Sequence, residues 1–143
     1  MTAEQDARFR LDLANKLLVR AQDELARNNW REAAFFARGA IENAAKAIVA
    51  CFGAIPRSHE PSALLTSVVD DPRFPTQLVA TAQALSPRLL GYGMAEHLIL
   101  SYGDERNHID PWTLVTAQHA DESVATATEI LEFARTTVGA MLP

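Results

Sequence analysis

The stretch from Asn29 to Phe52, NWREAAFFARGAIENAAKAIVACF, constrains the fold more than any other: 24 residues with no proline and a single glycine, Gly39. Ala33, Phe36 or Ala37, Ala40, Ile41, Ala44, Ile48 and Phe52 recur at steps of three and four, the spacing of one helical face. Ala34, Ala45 and Val49 widen that face beyond a narrow stripe, which predicts a helix touching more than one neighbour. Its alanines and Gly39 keep the profile low, so neighbouring backbones can approach closely. Asn29 stands where an N-cap belongs, with Glu32 three residues on in the capping-box position. Arg31, Arg38, Glu42 and Lys46 are expected on or near the polar side, with Glu42 and Lys46 in the favourable i,i+4 order. The stretch reads as the central helix of a small bundle.

Before it, a first helix is expected from about Ala3 to Arg27, with Phe9, Leu13, Leu17 and Ala21 stepping by four along one side. The join at Asn28-Asn29 is short, so the two helices must form an antiparallel hairpin. After Phe52, Gly53 and Pro56 stop the helix. Ser58 or His59 then caps a short helix, with Pro61 in its first turn and Leu64, Leu65, Val68 and Val69 as apolar residues. Asp70-Asp71-Pro72 breaks the chain again, and a further segment runs from about Pro75 to Leu85. Ser86-Pro87 opens another helical piece to roughly Ser101, with Leu89, Leu90, Met94, Leu98 and Ile99 apolar and a break near Tyr92 between Gly91 and Gly93. Ser101 to Trp112, SYGDERNHIDPW, is the least regular and most polar part of the chain. The last helix begins near Thr116 to Ala120, and Val124, Ala127, Leu131, Ala134 and Val138 form a seam for a partner helix. No internal repeat, low-complexity tract or strand is evident.

A chain of 143 residues can bury a sufficient core as one domain, residues 1–143. Its net charge of −5 argues against a broad electrostatic grip on nucleic acid, though not against a local basic patch. The single cysteine, Cys51, excludes an internal disulfide and lies in an apolar helical context, as a buried, inert thiol would. No apolar signal core or membrane-spanning run is visible, so a cytoplasmic location is expected.

The hairpin with Asn29-Trp30 opening its second helix and the run Ala40-Ile41-Glu42-Asn43-Ala44-Ala45-Lys46-Ala47-Ile48 resemble the HEPN family, whose members carry Ala-x-Glu-x-x-x-Lys-Ala in helix two. Pro56, His59, Leu64 and Leu65 match the family's loop and following helix, and Asp104 to Pro111 its later polar segment. The resemblance covers nearly the whole chain. It implies an all-α antiparallel bundle of four or five helices, often a homodimer. It also implies work beside a small nucleotidyltransferase in two-part toxin–antitoxin systems, with a nucleotide or RNA as ligand and no cofactor.

Active ribonucleases of that family carry an Arg, often followed by Asn, and a His four to six residues after the Arg. Here Arg106-Asn107 matches the start, but the next histidine is His108, two residues on, and the positions four to six after Arg106 are Asp110, Pro111 and Trp112. A general acid must come within hydrogen-bond reach of the atom it serves. Residues four apart on a helix share a face, whereas residues two apart do not. Pro111 removes a helix here, so convergence of Arg106 and His108 stays open.

Arg106, Asn107 and His108 are nonetheless the leading ligand-binding candidates, since binding residues concentrate in irregular polar segments; the alternative is a solvated charge run. His59 beside Arg57 joins them, or else serves as a helix cap. Tyr102, with Trp112, could stack on a base or pack in an interface. Glu105-x-x-His108 has the spacing of a di-iron ligand pair, but a single copy without further inward glutamates does not make that site, so no metal is expected. The function so read is a HEPN-like non-catalytic binding domain, homodimeric or paired with a nucleotidyltransferase. The alternative is a metal-independent endoribonuclease toxin using Arg106 and His108 across a homodimer.

Overall fold

The structure, a computed structural model, describes residues 2–143. It is all helical apart from one isolated antiparallel bridge between Asp104 and Ile109. The long helices are α1 (Ala3–Ala26), α2 (Trp30–Ala50) and α7 (Ala117–Met141). Between α2 and α7 lie α3 (Pro61–Val69), α4 (Val79–Leu85), α5 (Met94–Tyr102) and α6 (Pro111–Leu114), with 3₁₀ turns at Thr76–Leu78 and Ser86–Tyr92. The expected antiparallel bundle is therefore present, carried by three long helices.

The start of α1 is fixed locally by a capping box. The Thr2 hydroxyl accepts the Gln5 amide at 3.1 Å and the Gln5 side chain accepts the Thr2 amide at 2.9 Å, satisfying donors the helix cannot pair itself. Asn28, at φ 62°, reverses the chain; asparagine is one of the few side chains that enters that region readily. No such box forms on α2. Asn29 sits at its N-cap without a capping bond and donates instead to Glu24 at 2.7 Å, while Glu32 accepts the Trp112 indole N–H. The expectation failed because both side chains found partners outside the helix.

Helix α2 is the centre of the bundle, packed against α1 on one side and α7 on another, with α3 against it as well. Ala33, Ala37, Ala40, Ile41, Ala44 and Ile48 are wholly buried, as the periodicity requires. A side chain at Gly39 would bring its Cβ within 3.2 Å of Leu17, so the small residue sets the close approach of α1. The seam of α7 is buried at all five expected positions, Val124 through Val138. Thr116 caps α7 through the His119 amide at 3.1 Å.

Two local expectations are corrected. Neither Ser58 nor His59 caps α3, whose N-cap is Glu60 with Pro61 at its first position. Arg38, Glu42 and Lys46 do not form an outer polar side: they are 5%, 9% and 9% exposed. The reason is tertiary, since the loop before α3 and the start of α5 close over that face.

Candidate functional site

Arg38, Glu42 and Lys46 follow one another at i, i+4 and i+8 on α2, which aligns them on one stripe. Glu42 is the hub. Its Oε1 accepts Arg38 Nη2 at 3.3 Å and lies 2.8 Å from His59 Nδ1, and its Oε2 stands 3.5 Å from Lys46 Nζ. Arg38 also donates to the carbonyls of Gly93 at 3.2 Å and His59 at 3.3 Å. One buried guanidinium thus ties the loop before α3 and the start of α5 to the central helix. Glu60 adds a second tie, accepting the Met94 amide at 2.9 Å. The His97 ring lies parallel to His59, centroids 5.9 Å apart. Burial, then the charges of Arg38 and His59, hold His97 below the ordinary imidazole range.

With that anchoring, α5 is turned inside out. Glu96, His97 and Leu100 face the bundle, while Met94, Ala95, Leu98, Ile99 and Tyr102 are exposed. The positions i, i+1, i+4, i+5 and i+8 make one continuous outward face with no charged group on it. Leu90 precedes it and Trp112 stands on the adjoining α6, 70% and 61% exposed. Of the apolar residues expected from Leu89 to Ile99, Leu89 alone enters the core. Trp112 is held by Arg31, whose guanidinium lies over its ring and whose Nε donates to the Leu100 carbonyl at 2.7 Å. Tyr102 and Trp112 form no aromatic pair with each other among the described residues.

The polar segment folds as a tight turn. Asp104 and Ile109 exchange both backbone hydrogen bonds, at 2.8 and 3.0 Å. Gly103, at φ 73°, starts it where a Cβ would meet the Ile109 carbonyl at 2.2 Å. Asp104 accepts the Asn107 amide at 3.1 Å and its side-chain N–H at 2.8 Å, and these bonds keep its carboxyl below the ordinary range. Asn107 is therefore committed to the turn itself. The Arg106 and His108 side chains are exposed and make no hydrogen bond or ion pair among the described residues; His108 adopts φ 55°. Tyr102 and His108 line one cleft of about 470 Å³ with Asp104 and Asp110. The structure thus brings Tyr102 and His108 to one cleft, while Asn107 is held by Asp104 and Arg106 does not line it. His59 is drawn instead to Glu42, and Arg57 is exposed in the loop before it. No hydrogen bond, ion pair or ring contact links His59 or Arg57 to the turn among the described residues.

A pair the sequence reading passed over sits on the other side of the turn. His119, on the first turn of α7, has Nε2 2.6 Å from Oε1 of Glu96, which is 6% exposed. Glu96 Oε2 is buried without a partner. The hydrogen bond to Glu96 raises the His119 pKa against the opposing effect of burial. Twenty-three residues separate the two on different helices, so no spacing rule could have joined them. Elsewhere, burial pushes the Cys51 thiol up to about 11, which leaves it unreactive at neutral pH. Among the described residues no three His, Cys, Asp or Glu side chains are grouped to hold a metal ion, and no helix is long and apolar enough to cross a membrane.

A family model described as HEPN domain matches residues 7–137. The crystal structure of TT1696 from Thermus thermophilus is similar over 92% of this chain and 97% of its own, at 25% identity and a TM-score of 0.64. That of ST0689, an archaeal HEPN homologue, covers the same shares at 21% identity and a TM-score of 0.62, a likeness of fold. No curated protein matches the sequence significantly.

Proposed function

The chain belongs to the HEPN domain family, and from that premise we propose that it is a non-catalytic binding domain of a two-part, toxin–antitoxin-like system. In this reading it works as a homodimer, and the turn bearing Arg106, Asn107 and His108 meets a nucleotide or a small nucleotidyltransferase partner. The observation that carries the reading is the outward face of α5. Together with Leu90 and Trp112 it offers a run of large apolar side chains each between 37% and 70% exposed, the composition of an interface core rather than of a solvated helix face. A helix that turns its charges inward and its apolar residues outward is explained by a second surface laid over it. The same face lacks charge, so two copies of a chain with net charge −5 can meet there without stacking like charges.

The turn supports binding rather than cleavage. Arg106 and His108 stand two residues apart, Asp104 is spent on Asn107, and among the described residues no second group hydrogen-bonds the His108 ring to orient it as an acid or base. Light scattering on the purified protein should give a dimer at micromolar concentration. Leu98→Asp should give a monomer of unchanged helical content, because Leu98 is already 48% exposed in the single chain. AMP should bind more weakly to Arg106→Ala than to the parent. RNA incubated with the dimer and a chelator should stay intact. Cleavage lost in both Arg106→Ala and His108→Ala would replace this reading with the endoribonuclease one.

A further inference from the structure

A cleft of about 590 Å³ lies between the C-terminal half of α5, the turn after it and the first turn of α7. Ile99, Leu114 and Val115 supply its apolar wall, and Asp104, Glu105 and His119 its polar one, with no lysine or arginine in the lining. That volume suits a small molecule, and an apolar pocket with a few convergent polar groups is the usual form of such a site. The charges do not balance within it. Asp104 is held ionised by Asn107, and Glu105 is exposed and takes no hydrogen bond or ion pair among the described residues. Glu96 stands behind His119, one oxygen bonded to Nε2 and the other buried without a partner. Two carboxylates of the lining therefore share the cleft with one imidazole, whose Nε2 is already taken by Glu96, and even imidazolium leaves the site negative. With Nε2 turned to Glu96, Nδ1 is the ring nitrogen with no protein partner.

We propose that this cleft binds a small organic cation, an amine or guanidine on a short apolar stem. Such a ligand donates hydrogen bonds to Glu105 and to Nδ1 of neutral His119, and its stem lies against Ile99, Leu114 and Val115. A phosphate-bearing ligand meets the wrong sign of charge here, and a neutral apolar one gains nothing from the charges of Asp104 and Glu105. The site goes beyond the binding reading given for the chain, with Ile99 belonging both to its apolar wall and to the outward face of α5. It requires neither a dimer nor a nucleotide at Arg106.

Agmatine is a suitable probe, with AMP as the anionic comparison. In titrations followed by methyl and imidazole NMR, agmatine should shift Ile99, Leu114, Val115 and His119 together, and AMP should neither shift these signals nor compete. Glu105→Lys, at an exposed position, should keep the parental melting temperature and weaken agmatine at least tenfold. His119→Gln should weaken it severalfold. Absence of those shifts, undiminished agmatine binding in Glu105→Lys, or AMP taking the cleft in place of agmatine would overturn the proposal. Because Ile99 also lies on the outward face of α5, the titration is run on Leu98→Asp as well as on the parent: shifts absent from both overturn the cleft alone, and shifts present in both leave the dimer to be judged by light scattering.

Discussion

At Glu42 the bundle buries a carboxylate between two cations and an imidazole. Its side chain is 12% exposed, and those of Arg38 and Lys46 are 6% and 11%. Desolvation makes such a cluster a poor source of net stability, yet breaking it leaves an uncompensated charge inside. Glu42→Ala should therefore cost about 3–5 kcal/mol in urea unfolding. The exposed Glu4–Arg8 pair should be worth only about 0–1 kcal/mol by the same measurement. The histidines titrate in opposite directions. His119, bonded to Glu96, has its folded pKa above the ordinary ~6.5, so the stability it adds is complete below that value and is lost as pH rises through the folded pKa. Burial, with Arg38 and His59, puts the folded pKa of His97 below ~6.5, so its contribution is present above that value and lost as pH falls through the folded pKa. Imidazole NMR should find the His97 midpoint under that of His119. His119→Ala should lose more stability below pH ~6.5 than at a pH above the His119 midpoint found by that NMR titration.

Among the elements, α5 departs furthest from what its sequence suggests. Its apolar residues carry a helical period, but period fixes only that a face exists, not which way it points. Arg38 on the Gly93 carbonyl and Glu60 on the Met94 amide fix its rotation, and both partners lie more than thirty residues away in the chain. The turn that follows α5 is set more locally. At Gly103, φ 73° and ψ −152° describe a backbone region reserved almost entirely for glycine. Gly103→Ala should lower stability by about 1–3 kcal/mol, before the contact with the Ile109 carbonyl is counted. A fall in melting temperature with helical content kept would show it. Arg106 and His108 project from that turn, so their mutual position depends on Gly103 as much as on their own two-residue spacing.

In the whole molecule, α2 joins everything else, since α1, α7 and α3 all pack on it. Its amides from Ala37 to Ile48 should exchange with solvent only through global unfolding, while those of the 104–109 turn exchange by local opening. Hydrogen exchange read residue by residue checks this, and equal rates in the two regions would contradict it. The sequence by itself determined the three long helices, the hairpin at Asn28, the core face of α2 and the seam of α7. Each of these rests on residues a few positions apart, and helical periodicity and turn chemistry act over that range. It also marked Ser101 to Trp112 as irregular, because Pro111 cannot stand inside an uninterrupted helix. Tertiary structure alone decided that Arg38, Glu42 and Lys46 are interior, that α5 shows its apolar side to solvent, and that Glu96 meets His119. Burial and pairing of a charge depend on which distant segment closes over it, and no local spacing encodes that choice.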